Sequence, residues 1–193
     1  MPVTLTKEAI RKEMAKIRSA CDAETIKLQS AGIAERLYPL PEFVESHNVL
    51  FYMAMDKEVQ TREMIRRALD MGKRVYVPVV DTKNRDLKIA RLDDLNVEFV
   101  KGPYGVSEPA ERFMNIVPPA VVDFIAVPGV AFDFKGGRIG HGGGYYDRLL
   151  KSVPESAPKV ALAFEFQMLE FVPQEGFDIR VRKIVTEERT ICC

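Results

Sequence analysis

Apolar residues recur along this chain with two periods, and the change from one period to the other lays out the elements. Ile10, Met14, Ile17 and Cys21 lie four, three and four apart, which gathers them on one face of a helix over residues 7–21. Thr6 stands where its N-cap is needed. A second helix is predicted from Ala23 to Tyr38 behind Asp22, ended by Pro39 and Pro41. The run NVLFYMAM (48–55) reads as a strand, TREMIRRALDM (61–71) as a helix stopped by Gly72, and RVYVPVV (74–80) as another strand. Together they predict a βαβ unit.

Farther along, LKIARL (87–92) is strand-like, and 93–121, broken by Gly102, Pro103, Gly105, Pro109, Pro118 and Pro119, reads as loop. VDFIAVPGVAF (122–132) opens as a fully apolar strand and breaks at Pro128; YYDRLLKS (145–152) reads as a helix, and KVALAF (159–164) and RKIVTE (182–187) as later strands. This alternation predicts the α/β class, with a single three-layer domain over 1–193 and a largely parallel central sheet flanked by helices.

Composition narrows the function. A chain of 193 residues, 47% of them hydrophobic, can fill one full core. Lys plus Arg and Asp plus Glu are both 28, so no net field recruits nucleic acid or an anionic membrane, and any polyanion bound must be small and held locally. No apolar run reaches about 18 residues and the first residues lack a secretory core, so a cytoplasmic location is expected. With no heptad or repeat, a monomer is the default. Cys21, Cys192 and Cys193 make neither a disulfide framework nor a redox CxxC. His47 and His141 are too few for a multi-histidine metal site.

The chemistry concentrates in PGVAFDFKGGRIGHGGGYYDRLL (128–150), where six glycines fall between Gly136 and Gly144 with Arg138 among them. Glycines expose backbone N–H groups, consecutive N–H groups form an anion nest, and the helix that follows adds about half a positive charge at its N-terminus. The loop also follows a strand's carboxyl end, where open α/β sheets bind ligands. Neither familiar nucleotide pattern fits. No glycine precedes Lys and a hydroxyl residue, and Tyr145 stands where the third glycine of G-x-G-x-x-G would be.

These residues carry a resemblance. PGVAFD followed by G-x-R-[IL]-G-x-G-x-G-Y-Y-D resembles the signature of the 5-formyltetrahydrofolate cyclo-ligase, or methenyltetrahydrofolate synthetase, family. A Lys-x-x-x-Arg helix, Glu-Val-x-Thr after an early strand, G-x-x-G-x-x-E-P, and an Asp followed by Ile-Val-Thr-Glu fall in the family's order over nearly the whole chain. The resemblance implies an ATP- and magnesium-dependent ligase that converts 5-formyltetrahydrofolate to 5,10-methenyltetrahydrofolate, with ADP and phosphate released. Both nucleophiles of that reaction belong to the folate, so the protein would supply positioning and charge stabilisation.

The resemblance further implies a role for each matched residue. Lys7 and Arg11 would bind ATP phosphates, together with a loop of Arg138, Ile139, Gly140, His141, Gly142, Gly143, Gly144, Tyr145 and Tyr146. Arg138 and Tyr146 would act in catalysis, Asp147 and Asp178 would hold Mg2+, and Met53, Glu58, Tyr104 and Tyr146 would contact the folate. Where the family often has a second acidic residue four positions after Asp178, this chain has Arg182. On sequence alone Lys7 and Arg11 also fit a solvated basic face, Met53 a core position, Glu58 an exposed loop, and the tyrosines buried rings with satisfied hydroxyls. His141 occupies a variable, often aromatic, position and is not read as a base. The alternative is a non-catalytic folate- or nucleotide-binding regulator of the same fold. A sugar-phosphate isomerase or acyl-CoA transferase of similar architecture is a third reading.

Overall fold

Thr6 and Asp22 open the first two helices by the same device. The Thr6 hydroxyl accepts from the Ala9 amide at 3.2 Å and the Asp22 carboxylate from the Thr25 amide at 2.7 Å. The computed structural model describes residues 6–193. In chain order its elements are α1 (Lys7–Ala20), α2 (Ala23–Leu37), α3 (Pro41–Glu45), β1 (Asn48–Leu50), α4 (Arg62–Asp70), β2 (Arg74–Asp81) and β3 (Asp86–Leu92). There follow β4 (Phe99–Lys101), β5 (Ser107–Pro109), β6 (Asn115–Val117), β7 (Phe124–Val127), β8 (Ala131–Asp133), β9 (Arg138–Ile139) and α5 (Tyr145–Ser152). The chain ends with β10 (Lys159–Leu162), β11 (Met168–Leu169), β12 (Lys183–Val185) and β13 (Thr190–Cys192).

The main sheet runs β13-β12-β10-β7-β1-β2-β3-β6. Its five central strands, β12 to β2, are parallel, and the outer pairings β12–β13, β2–β3 and β3–β6 are antiparallel. Period-two alternation divides their side chains between two cores. Val49, Val75, Phe124, Ala126, Val160 and Val185 face Ile33 and Leu37 of α2, Phe43 of α3 and Ile65 of α4. Leu50, Tyr76, Ile125, Ala161 and Ile184 face Leu149 and Leu150 of α5. The α/β class, the three layers and the largely parallel sheet are as the sequence predicts, and β1–α4–β2 is the expected βαβ unit.

Three expectations need correction. The run 48–55 is ladder-paired only to Leu50; Phe51, Tyr52 and Met53 continue buried but unpaired to a neighbouring strand beyond the first of them. The segment 93–121 is not all loop: it holds β4 and β5, paired as a separate ribbon, and the edge strand β6. The run 122–132 is two strands in two sheets, because Pro128 and Gly129 turn the chain out of the main sheet into a small one ordered β11-β8-β9. Helix α1 packs on that small sheet through Ile10 and Met14 against Val130, Ala131 and Ile139.

Candidate active site

The parallel strands read β2-β1-β7-β10-β12, so from β1 the chain moves outward to β2 on one side and returns to β7 on the other. Where connections part in this way, the strand ends leave a crevice. A cavity of about 1040 Å³ occupies it, at the upper limit of the volumes usual for small-molecule sites. Every candidate site residue named from the sequence, from Lys7 and Arg11 through Met53, Glu58 and Tyr104 to Asp147 and Asp178, lines this cavity. Arg182 does not line it and is exposed.

The glycine run is two structures, not the one phosphate loop that its composition suggests. Asp133, 4% exposed, accepts from the amides of Lys135, Gly137 and Val172 at 2.9, 2.8 and 3.0 Å. That carboxylate closes the β8–β9 turn. Gly136 has φ 77°, and a Cβ there would stand 2.1 Å from the Val181 carbonyl, so Gly136 serves the turn. β9 then delivers Arg138 into the cavity wall. Only Gly140–Gly144 forms the open loop, with Gly144 at φ 66° directly before α5. Among the described residues, the amides of Gly142 to Asp147 donate to no protein acceptor. They form a nest at a helix N-terminus, the arrangement that suits a phosphate.

Cations and carboxylates alternate around this nest. Arg138, its side chain 3% exposed, donates from Nη2 to Asp147 Oδ1 at 2.7 Å and from Nη1 to the Pro128 carbonyl at 3.4 Å. Its Nε is buried and, among the described residues, without a partner. Arg11 Nε donates to the Gly140 carbonyl at 2.8 Å, fastening α1 to the loop. Lys7 Nζ lies 2.5 Å from Asp178 Oδ2 and 3.1 Å from Glu175 Oε1. Burial opposes charge on both Lys7 and Asp178, yet their mutual bond, with Glu175 contributing to each, raises the Lys7 pKa and lowers that of Asp178.

The two aspartates suit a hard divalent cation. Asp147 accepts from Arg138 and the Ile179 amide through Oδ1, and Asp178 from Lys7 and the Glu175 amide through Oδ2. Each therefore keeps its other carboxylate oxygen without a hydrogen-bond partner among the described residues, beside a nest for phosphates. One or two carboxylates plus phosphate oxygens and water are the usual Mg2+ ligand set. The described residues contain no cluster of three or more His, Cys, Asp or Glu that would make an all-protein metal cage.

Glu58, which also lines the cavity, is anchored through Oε2 by the Met55 amide at 2.9 Å, and its Oε1 meets His141 Nε2 at 3.1 Å. The ring of Tyr146 lies 6.0 Å from the Arg138 guanidinium. Burial, reinforced by Glu58 and opposed by Arg138, pushes the Tyr146 phenol well above its ordinary pKa, so it stays a proton donor. Tyr104, at φ 60°, reaches back from the β4–β5 connection to set its hydroxyl 3.0 Å from that of Tyr145.

Three contributors escaped the sequence reading. Asp133 lies inside the PGVAFD segment, and only its burial shows why an acid is needed there. Gln174 donates to the Arg138 carbonyl at 3.3 Å, steadying β9 from a loop without a local signal. Arg85, in the β2–β3 turn, lines the cavity from a polar stretch between two strand-like runs.

A profile of the 5-formyltetrahydrofolate cyclo-ligase family matches residues 3–187. The chain is 32% identical over 179 residues to the 5-formyltetrahydrofolate cyclo-ligase of Haemophilus influenzae, a match covering 91% of this chain and 95% of that one. It is 31% identical over 173 residues to the protein of the same name from Escherichia coli K12, covering 89% and 95% of the two chains. The solved structure of Aquifex aeolicus 5,10-methenyltetrahydrofolate synthetase superposes with a TM-score of 0.83 at 35% identity, over 96% of this chain and 92% of that one.

Proposed function

This chain belongs to the 5-formyltetrahydrofolate cyclo-ligase family, and from that premise we propose that its cavity joins MgATP to 5-formyltetrahydrofolate and closes the folate ring to 5,10-methenyltetrahydrofolate. The chemical obstacle is the N5-formyl oxygen, an amide oxygen that N10 cannot displace. Attack of that oxygen on the γ-phosphorus releases ADP and turns the oxygen into a phosphate ester. N10 then adds to the activated carbon, its proton departs, and the C–O bond breaks to release phosphate.

The residues answer those needs. The amides of Gly142–Asp147 hold the phosphates and the N-terminal end of α5 favours their charge. Arg138, in the same cavity, keeps a buried Nε–H without a partner among the described residues, and this one observation carries the reading: desolvated donors without a protein acceptor are ready for charge that develops on a transferring phosphoryl group. Tyr146, held as a neutral phenol, donates to the oxygen being phosphorylated. Lys7 and Arg11 bring α1 to the nucleotide. Asp147 and Asp178 would hold Mg2+, which when bound neutralises phosphate charge. Glu58 accepts paired N–H groups from the pterin, and Met53 and Tyr104, which line the same cavity, contact the folate.

The test mixes protein, MgATP and 5-formyltetrahydrofolate and follows the near-ultraviolet absorbance of the methenyl product together with ADP. The expected result is product and ADP in equal amounts, with turnover lost on chelating the metal. Product formed without ATP would overturn the phosphorylation route. Binding of both ligands without product would identify a non-catalytic regulator, and turnover undiminished by chelator would remove the metal from Asp147 and Asp178.

A further inference from the structure

Four basic side chains, Lys7, Arg11, Arg85 and Arg138, line the cavity, and three of them are already engaged, with Asp178 and Glu175, with the Gly140 carbonyl, and with Asp147. Arg85 alone of the four makes no hydrogen bond or ion pair among the described residues. Its turn is built so as to leave it so. Asp81 accepts the amides of Lys83 and Asn84 at 3.1 and 3.2 Å, the Asn84 side-chain amide at 2.8 Å, and Lys88 at 2.9 Å, so its charge is spent within the hairpin. Asp86, the other adjacent acid, has Oδ1 turned to the Leu87 amide at 2.8 Å. Arg85 itself sits at φ 53°, a conformation that glycine or asparagine adopts more readily than arginine. Strain of this kind is a pointer to function.

The floor leading to Arg85 is apolar. Pro78 and Val80 are two apart on β2 and so share a face, Leu87 pairs with Val80 across the ladder, and Val106 joins them from the β4–β5 connection; all four line the cavity. From Pro78 to the turn is about four residues of strand, or about 13 Å at the usual rise. At the far end Tyr145, its hydroxyl 3.0 Å from that of Tyr104, lines the same cavity as Arg85. An apolar trough of this length, closed by an unengaged guanidinium, fits an aromatic amide that ends in a carboxylate.

We propose that Arg85 docks the glutamate end of the folate, its guanidinium gripping a tail carboxylate while the aminobenzoyl ring lies on Pro78, Val80, Leu87 and Val106. This deepens the cyclo-ligase reading above and rests on it. The pterin is then held at the Glu58 wall, the formyl group at the nucleotide, and the tail at the β2–β3 turn. Arg85 thereby sets which folates bind well.

The test measures steady-state kinetics of the unsubstituted chain, Arg85→Gln and Arg85→Lys on two substrates: 5-formyltetrahydrofolate, and an analogue whose glutamate is replaced by a simple carboxamide. The expected result is a roughly tenfold rise in the folate KM for Arg85→Gln, about 1.4 kcal/mol, with partial recovery in Arg85→Lys and no difference between the three proteins on the tail-less analogue. An unchanged folate KM in Arg85→Gln overturns the proposal. So does an equal loss on both substrates, which would mark Arg85 as a support for the hairpin. Failure of the unsubstituted chain to convert either substrate overturns the cyclo-ligase reading and this proposal with it, and is seen before any variant is compared.

Discussion

Glu58 and His141, 83 residues apart in the chain, meet at 3.1 Å through Oε1 and Nε2. The first belongs to the segment leaving β1 and the second to the open glycine loop, so the wall assigned to the pterin and the loop assigned to the phosphates are in direct contact. A folate that takes both oxygens of Glu58 shares them with the Met55 amide and His141, since each carboxylate oxygen has two lone pairs.

Glu58→Gln keeps the size of the side chain but replaces one acceptor oxygen with a donor. Hydrogen bonds to charged groups contribute about 1.5–3 kcal/mol, so folate affinity should fall by about tenfold or more. Nucleotide affinity should be retained. Calorimetric titration of each ligand separately checks both halves, and an unaltered folate Kd takes Glu58 out of the substrate site.

Arg138 and Asp147 form a pair whose side chains are 3% and 19% exposed. Removing one member of such a pair strands the other's charge, at a cost of about 3–5 kcal/mol for full burial. Asp147→Ala is therefore expected to lower the urea midpoint markedly, and Arg138→Ala to damage stability as well as turnover. Arg138→Lys is the cleaner kinetic probe. It keeps a cation but loses the planar fork, and kcat should fall about a hundredfold, the order seen when a transition-state donor is lost. Unchanged kcat in this variant would exclude Arg138 from the reaction.

The Lys7–Asp178 pair gives stability a defined pH profile. Asp178 titrates below its unfolded value of 3.8, so its contribution is complete above that pH and is lost as pH falls through the lower, folded pKa. Lys7 titrates above 10.5, so its contribution is complete below that pH and is lost as pH rises through the higher, folded pKa. The difference in urea midpoint between the unsubstituted chain and Asp178→Asn should accordingly be flat from pH 5 to about 9 and collapse at strongly acidic pH. A difference that persists undiminished into acid would show that the ion pair is not its source.

The division of the glycine run predicts two different lesions. Gly136→Ala drives a Cβ into the Val181 carbonyl at a positive φ, and should cost more than about 2 kcal/mol in stability. Gly140→Ala needs no positive φ, and its Cβ meets the Arg138 guanidinium, Nη1 at 3.0 Å and Cζ at 3.9 Å. It should leave the thermal midpoint nearly unchanged while slowing turnover by displacing the guanidinium. Equal thermal losses in the two variants would contradict the division.

Much of this fold is legible in the sequence because local signals agree: Thr6 and Asp22 cap where the apolar spacing begins, Gly72 stops α4 at φ 77°, and β2 and β10 are continuous apolar runs. The run 122–132 misleads because a short apolar stretch has no period to mark where one strand ends and another begins. Only Pro128–Gly129 signals the break, and β8 turns out to belong to another sheet. In the site, residue chemistry alone singles out the glycine loop. The family pattern names Lys7 and Asp178 separately, and their contact across 171 positions is visible only in the fold. Arg85 had no signal at all, since its place beside Tyr145 depends on how a hairpin tip meets a distant helix.

The clamp between Lys7 and Asp178 also orders events during synthesis. The glycine loop and α5 are synthesised before the acid that receives the first helix's lysine has been added. A polypeptide that stops short of Asp178 therefore carries the glycine loop without its closing strap.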